Sequence, residues 1–148
     1  MRLIPLRQWI CDSCGKTIDR PEEGWFEWYV DREPSLEAGF RIVHHWQLCM
    51  YDEQALRKLN RAVKDLLLSD VVGADGLANQ LFQVELSEKG VYRFRDLKEF
   101  IEVLRRLHVP YWEQARLFWE RSLKDGYHDG CDFSEKTLQS VIEKYDDS

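Results

Sequence analysis

The run Cys11-Asp-Ser-Cys14-Gly15 places two thiols three positions apart. Thiolates at that spacing converge on one tetrahedral ion when the chain folds back between them. Gly15 suits such a turn, because the residue after the second cysteine often needs positive φ, which glycine reaches without steric cost. Two coordination positions are left open, and His45-x-x-x-Cys49 supplies them. His44 is an immediate alternative to His45. In an extended segment, however, His44 shares its face with Phe40, Ile42 and Trp46, so strand alternation favours His45. Cys11, Cys14, His45 and Cys49 then form a closed Cys3His set, for which a single structural zinc is the first choice and iron the second. A redox dithiol is the weaker reading, since Gly15-Lys16-Thr17-Ile18 and Pro21 do not open the long helix such a motif requires.

The elements around these residues are short. Trp9 and Ile10 lead into the cysteine pair and Thr17 and Ile18 lead out, which predicts two small strands joined by a tight turn. Residues 25–30 (WFEWYV) and 40–46 (FRIVHHW) read as partner strands, with a loop at 31–39 that holds Pro34, Ser35 and Gly39. After Cys49 the period changes. Asp52 is a candidate N-cap, and Leu56, Leu59, Val63, Leu66 and Leu67 recur at helical spacing, predicting a helix over 52–69. Further helices are expected at 77–86, where a strand is the alternative, and at 95–108, 111–124 and 134–145. The fold class expected is α+β: a small zinc-stapled, β-rich N-terminal unit over residues 1–51, packed on a helical body of four or five helices over 52–148, either as two domains or as one continuous domain.

The order of a CxxCG knuckle, a β-hairpin, a second ligand pair and then a helix resembles zinc-ribbon and treble-clef proteins. The resemblance covers residues 9–67. It differs from their commonest form in using His45-x-x-x-Cys49 instead of a second CxxC, and in placing Cys49 before the helix. It implies a metal-stabilised fold and no particular activity.

Composition bounds the rest. Of 148 residues, 44% are hydrophobic and 32% charged, the range of a globular chain rather than a disordered one. Six tryptophans supply large side chains for a core. No apolar run is long enough for a membrane helix, and the start of the chain lacks the apolar stretch of a signal peptide, so a cytoplasmic protein with reduced thiols is expected. The net charge of −6 opposes indiscriminate capture of nucleic acid.

Three weaker features remain. Arg57, Arg61 and Lys64 would align on one face of the helix at 52–69, a stripe able to track phosphates, though a solvated helix face is the simpler reading. The loop 125–132 departs from a calcium loop at Tyr127 and Lys136, and reads as a turn between helices; Cys131 is a distant alternative as fourth zinc ligand. The aromatic cluster at 25–29 reads as core. No phosphate loop, nucleophile elbow or HExxH motif occurs, and catalysis is not expected, although a metal-dependent enzyme stays open as an alternative. The expectation is a zinc-stabilised, non-catalytic protein whose helical body binds a protein partner. A nucleic-acid-binding protein that uses the zinc unit and the basic helix face is the alternative.

Overall fold

Nine residues of β3 (Gly24–Arg32) form the strand on which the rest is built. The computed structural model describes residues 1–147. β3 is central in a three-stranded antiparallel sheet of order β4-β3-β5, with β4 at Ser35–His44 and β5 at Arg61–Leu67. Its aromatic residues alternate across the sheet. Phe26 and Trp28 point into the main core with Phe40 and Ile42, whereas Tyr29 points the other way, to Leu56 and Tyr51. Before the sheet, β1 (Trp9–Ile10) and β2 (Thr17–Ile18) pair antiparallel with Trp9 opposite Ile18.

Among the described residues seven α-helices accompany the sheets: α1 (Glu53–Lys58), α2 (Leu68–Val71), α3 (Gly73–Glu88), α4 (Leu97–His108), α5 (Trp112–Ala115), α6 (Trp119–Lys124) and α7 (Glu135–Tyr145). The architecture is α+β with a β-rich N-terminal part. α4 starts where the Asp96 carboxylate accepts from the Lys98 N–H, and it buries Phe100, Val103 and Leu107 against Phe40 and the sheet. Phe94 and Phe100 stack at 4.4 Å. α7 is capped by Ser134 and, with α5, forms a second core of Trp112, Ala115, Leu138 and Ile142. No helix among the described residues is long and apolar enough to cross a membrane.

The helix expected over 52–69 is not formed. Asp52 does cap α1, accepting from the Gln54 and Ala55 N–H groups, but the helix ends at Lys58 and Asn60 adopts a φ of 58°. Residues 61–67 then run as β5, with Val63 opposite Tyr29 and Lys64 opposite Trp28. The leucine spacing was a coincidence of period: Leu56 is buried, while Leu59 is 62% and Leu66 42% exposed. An aromatic strand such as β3 needs pairing along both edges, and that tertiary demand outweighs local helix preference. Similarly, the expected loop at 31–39 shrinks to a tight turn at Glu33 and Pro34 as both strands extend, and the segment 111–124 breaks into α5 and α6.

One buried arginine joins the N-terminal part to the helices. Arg106, on α4, donates to Glu113 through Nε at 2.7 Å and Nη2 at 2.9 Å, and to Asp12 through Nη1 at 2.7 Å. Nη2 also reaches the Ile10 carbonyl at 3.1 Å. Glu113 in turn accepts from the Ile10 N–H at 3.0 Å, and the Trp9 indole donates to the Arg106 carbonyl at 2.9 Å. Burial pushes the Glu113 carboxyl up, but its hydrogen bonds to Arg106 and Arg116 prevail and hold it below the usual carboxylate range.

Removing one partner of such a buried pair strands the other charge, so Arg106→Met should lower the unfolding free energy by about 3 kcal/mol in urea titrations. The sign of the pH dependence follows from the depressed Glu113 carboxyl. Its contribution is complete above the unfolded value of about 4.3 and fades as pH falls through the lower folded value. The stability gap between wild type and Glu113→Gln should therefore narrow on acidification below about pH 4.

Candidate metal centre

The turn between β1 and β2 is built by its own backbone. The Cys11 N–H donates to the Lys16 carbonyl at 2.9 Å and the Gly15 N–H to the Cys11 carbonyl at 2.9 Å, with Gly15 at a φ of 74°. This curls Cys14 back over Cys11 and brings the Lys16 N–H onto the Cys14 sulfur, which holds that thiol below its ordinary value. The knuckle is fastened to β4 through Asp12. Its N–H donates to the Ile42 carbonyl and its carboxylate accepts from the Ile42 N–H, both at 2.8 Å.

β4 ends at His44, directly over this turn. His44 Nδ1 lies 3.4 Å from Cys14 Sγ and 3.9 Å from Cys49 Sγ, and the His44 N–H points to Cys11 Sγ at 3.4 Å. The other ring nitrogen, Nε2, sits 3.1 Å from the Thr17 carbonyl. A carbonyl can only accept, so the proton belongs on Nε2 and the Nδ1 lone pair faces the sulfurs. Metal-binding histidines are commonly held by such a bond.

The ligand atoms of Cys11, Cys14, His44 and Cys49 all lie within 4.8 Å of one another. A tetrahedral ion with ordinary metal–sulfur and metal–nitrogen bonds needs sulfur–nitrogen edges of about 3.5 Å. The observed 3.4 and 3.9 Å bracket that value, so the group can hold a metal ion. Cys11 and Cys49 are buried, whereas Cys14 is exposed. Burial, with the neighbouring thiols of Cys11 and Cys14, pushes the Cys49 thiol up to about 11 in the absence of an ion. Metal uptake must therefore expel protons from this cluster.

His45 lies outside the cluster, contrary to expectation. Its N–H donates to the Glu23 carbonyl at 2.8 Å and its ring stacks on Trp25 at 4.4 Å, nearly parallel. Strand alternation does set the two histidines on opposite faces, but the face that meets the cysteine knuckle is that of His44. The knuckle packs against the apolar face, where Ile42 belongs to the same core cluster as Trp9, Cys11 and Cys49. The histidine that continues that face is His44.

The proposed basic stripe is also dispersed. Arg57, on α1, lies 3.8 Å from Glu53. Arg61 and Lys64, on β5, pair with Asp31 at 2.7 Å and Glu37 at 2.9 Å. Cys131 is exposed in its turn and lies outside the metal-ligating group.

Beneath Cys49 lies a support that was not expected from the sequence. Glu27 is fully buried and accepts from Arg41 Nε at 2.8 Å and from the Tyr51 N–H at 3.0 Å. Arg41 continues to the Cys49 carbonyl at 3.0 Å and lies 3.7 Å over the Tyr51 ring. A lone acid within WFEWYV and a lone base within FRIVHH, opposite one another in register, were the available signals.

His44→Ala should lower cobalt(II) affinity by about a hundredfold or more in titrations followed by the thiolate charge-transfer band, since it removes a ligand where even a supporting residue is worth 10–100-fold. His45→Ala should bind cobalt(II) as wild type does. Comparison with known proteins gave no match to any family, curated protein or solved structure, so the functional reading rests on this centre and its surroundings.

Proposed function

We propose that this chain is a zinc-stabilised, non-catalytic interaction protein. The observation that carries the reading is the cluster itself: three sulfurs and one imidazole nitrogen, enough to fill a tetrahedron, with two of the cysteines inside the main hydrophobic core. Zinc suits a mixed sulfur and nitrogen set, has no redox chemistry of its own and accepts the tetrahedron without distortion. A filled tetrahedron gives a substrate no position on the ion, which supports a structural rather than a Lewis-acid role. Cysteine ligands that must stay unoxidised to bind zinc support a reducing compartment such as the cytoplasm.

Protein partners rank above nucleic acid. Arg61 and Lys64 are already paired with acids, and the chain carries a net charge of −6. Large apolar side chains, by contrast, stand in solvent: Trp46 is 57% and Leu48 75% exposed. Such residues are the usual anchors of protein interfaces when they gather in one patch.

Purified protein should carry one zinc per chain by native mass spectrometry. Cys14→Ser, or chelation of the wild type, should lower the thermal midpoint by about 10 °C or more, because binding energy at a structural site is folding energy. Zinc-free protein with an unchanged midpoint would refute the structural role.

A further inference from the structure

The loop 45–48 is held at both ends by the metal centre. His44 and Cys49, which flank it, both contribute ligand atoms. Between them the backbone is tied down: the His45 N–H donates to the Glu23 carbonyl, while the Cys49 and Met50 N–H groups both donate to the Trp46 carbonyl. The His45 ring is fixed against Trp25. All four residues of the loop are exposed, and the apolar side chains among them, Trp46 and Leu48, stand in water. An apolar pair that a constrained loop displays instead of burying has paid little conformational entropy still to be lost on binding.

Two grooves flank the loop and meet at His45 and Trp46. One is lined by Cys14, Lys16, Glu22 and Glu23, the other by Leu48, Met50, Asp52 and Glu53. Four acids thus face a single lysine. Arg20 engages Glu23 at 2.9 Å and Arg57 approaches Glu53 at 3.8 Å, but no base lies within ion-pairing distance of Glu22 or Asp52 among the described residues. Three thiolates around a divalent ion add one further negative charge beneath the first groove. The surface is apolar at its centre and acidic at its rim. An anionic lipid surface or a phosphate backbone would be repelled by that rim.

We propose that the metal-clamped loop 45–48 is the docking surface for a basic peptide segment of a protein partner, with apolar side chains seated against Trp46 and Leu48 and lysine or arginine on the acidic rim. This inference rests on the reading of the chain as a zinc-stabilised interaction protein. Because the ion holds both ends of the loop, its removal loosens the docking surface along with the fold.

A random peptide library displayed on phage, selected against the zinc-loaded full chain, tests it. Enriched sequences should interleave aromatic or aliphatic residues with lysine and arginine. Their synthetic peptides should bind by fluorescence anisotropy, more weakly as salt is raised. The Trp46→Ala/Leu48→Ala double variant should bind them about tenfold or more weakly, in keeping with loss of central anchors. Glu22→Lys should weaken binding and flatten its salt dependence, and both variants should keep their zinc and their thermal midpoint. No enrichment, enrichment of acidic peptides, or binding that survives the double variant would overturn the proposal. It would equally be overturned by self-association in sedimentation, or by adsorption to phosphatidylcholine vesicles, that the double variant abolishes, since the surface would then serve a second copy or a membrane. Failure on protein with stoichiometric zinc and a zinc-dependent midpoint sinks this inference alone, whereas zinc-free folded protein sinks the reading beneath it.

Discussion

The convergence of Cys11, Cys14, His44 and Cys49 is the constraint on which the N-terminal part depends. β1 and β2 are two residues each, too short to hold a hairpin in water by their own hydrogen bonds. The turn they carry is kept in place from three directions: by the ligand cluster, by Asp12 on the Ile42 backbone, and by Arg106 from α4. Two of the ligands are also core residues, packed with Trp9, Ile18 and Val43. Coordination of an ion by these four residues would therefore be inseparable from hydrophobic burial. Bringing the cysteines together assembles the core, and a loosened core would separate the ligands.

Charge is buried in this fold only where it does positional work. Glu27 and Arg41 sit on the face of the sheet opposite the main core and hand their order to the Cys49 carbonyl. Glu37, also buried, takes the Trp28 indole N–H at 2.8 Å and the Lys64 ammonium at 2.9 Å, so it locks β5 and β4 to the aromatic strand between them. Arg106 and Glu113 bind the knuckle to the helices. Each pair costs desolvation, and an apolar replacement of similar shape could be as stable. What the pairs add is register. They fix strand against strand and, through Arg106 on Asp12, the knuckle against α4 by bonds of fixed direction, in a fold whose larger sheet has three strands.

The cysteine pair with its turn and the β-rich character of the first fifty residues were legible in the sequence because they are local. CxxCG announces its own turn, and the alternating aromatic runs announce two strands. Two properties were not local. The choice between His44 and His45 turned on which face of β4 the knuckle would cover, and adjacent residues in a strand carry no internal sign of that. The identity of β5 turned on the unpaired edge of β3. Its leucines matched a helical period while its burial, seen afterwards, did not. Where a cap and a stripe agreed with tertiary packing, as at Ser134 and Leu138, Val141 and Ile142 of α7, sequence and structure coincide.

Their hydrogen bonds separate two histidines that resemble functional groups. His128 Nε2 lies 2.6 Å from the hydroxyl of the buried Ser122, a spacing that would suit a base and its nucleophile. Yet the Gly130 N–H donates to His128 Nδ1 at 3.0 Å, which places the ring proton on Nε2 and makes the imidazole the donor. Ser122 then donates its own hydrogen bond to the Trp119 carbonyl at 2.8 Å, and the ring lies stacked on the Trp119 indole at 3.8 Å. The hydroxyl is a relay within a turn and is not activated. At His44 the same reasoning gives the opposite result. The Thr17 carbonyl accepts a hydrogen bond from Nε2–H, so the lone pair on Nδ1 is left facing three sulfurs, and of the two rings it is His44 that is prepared to bind a metal ion.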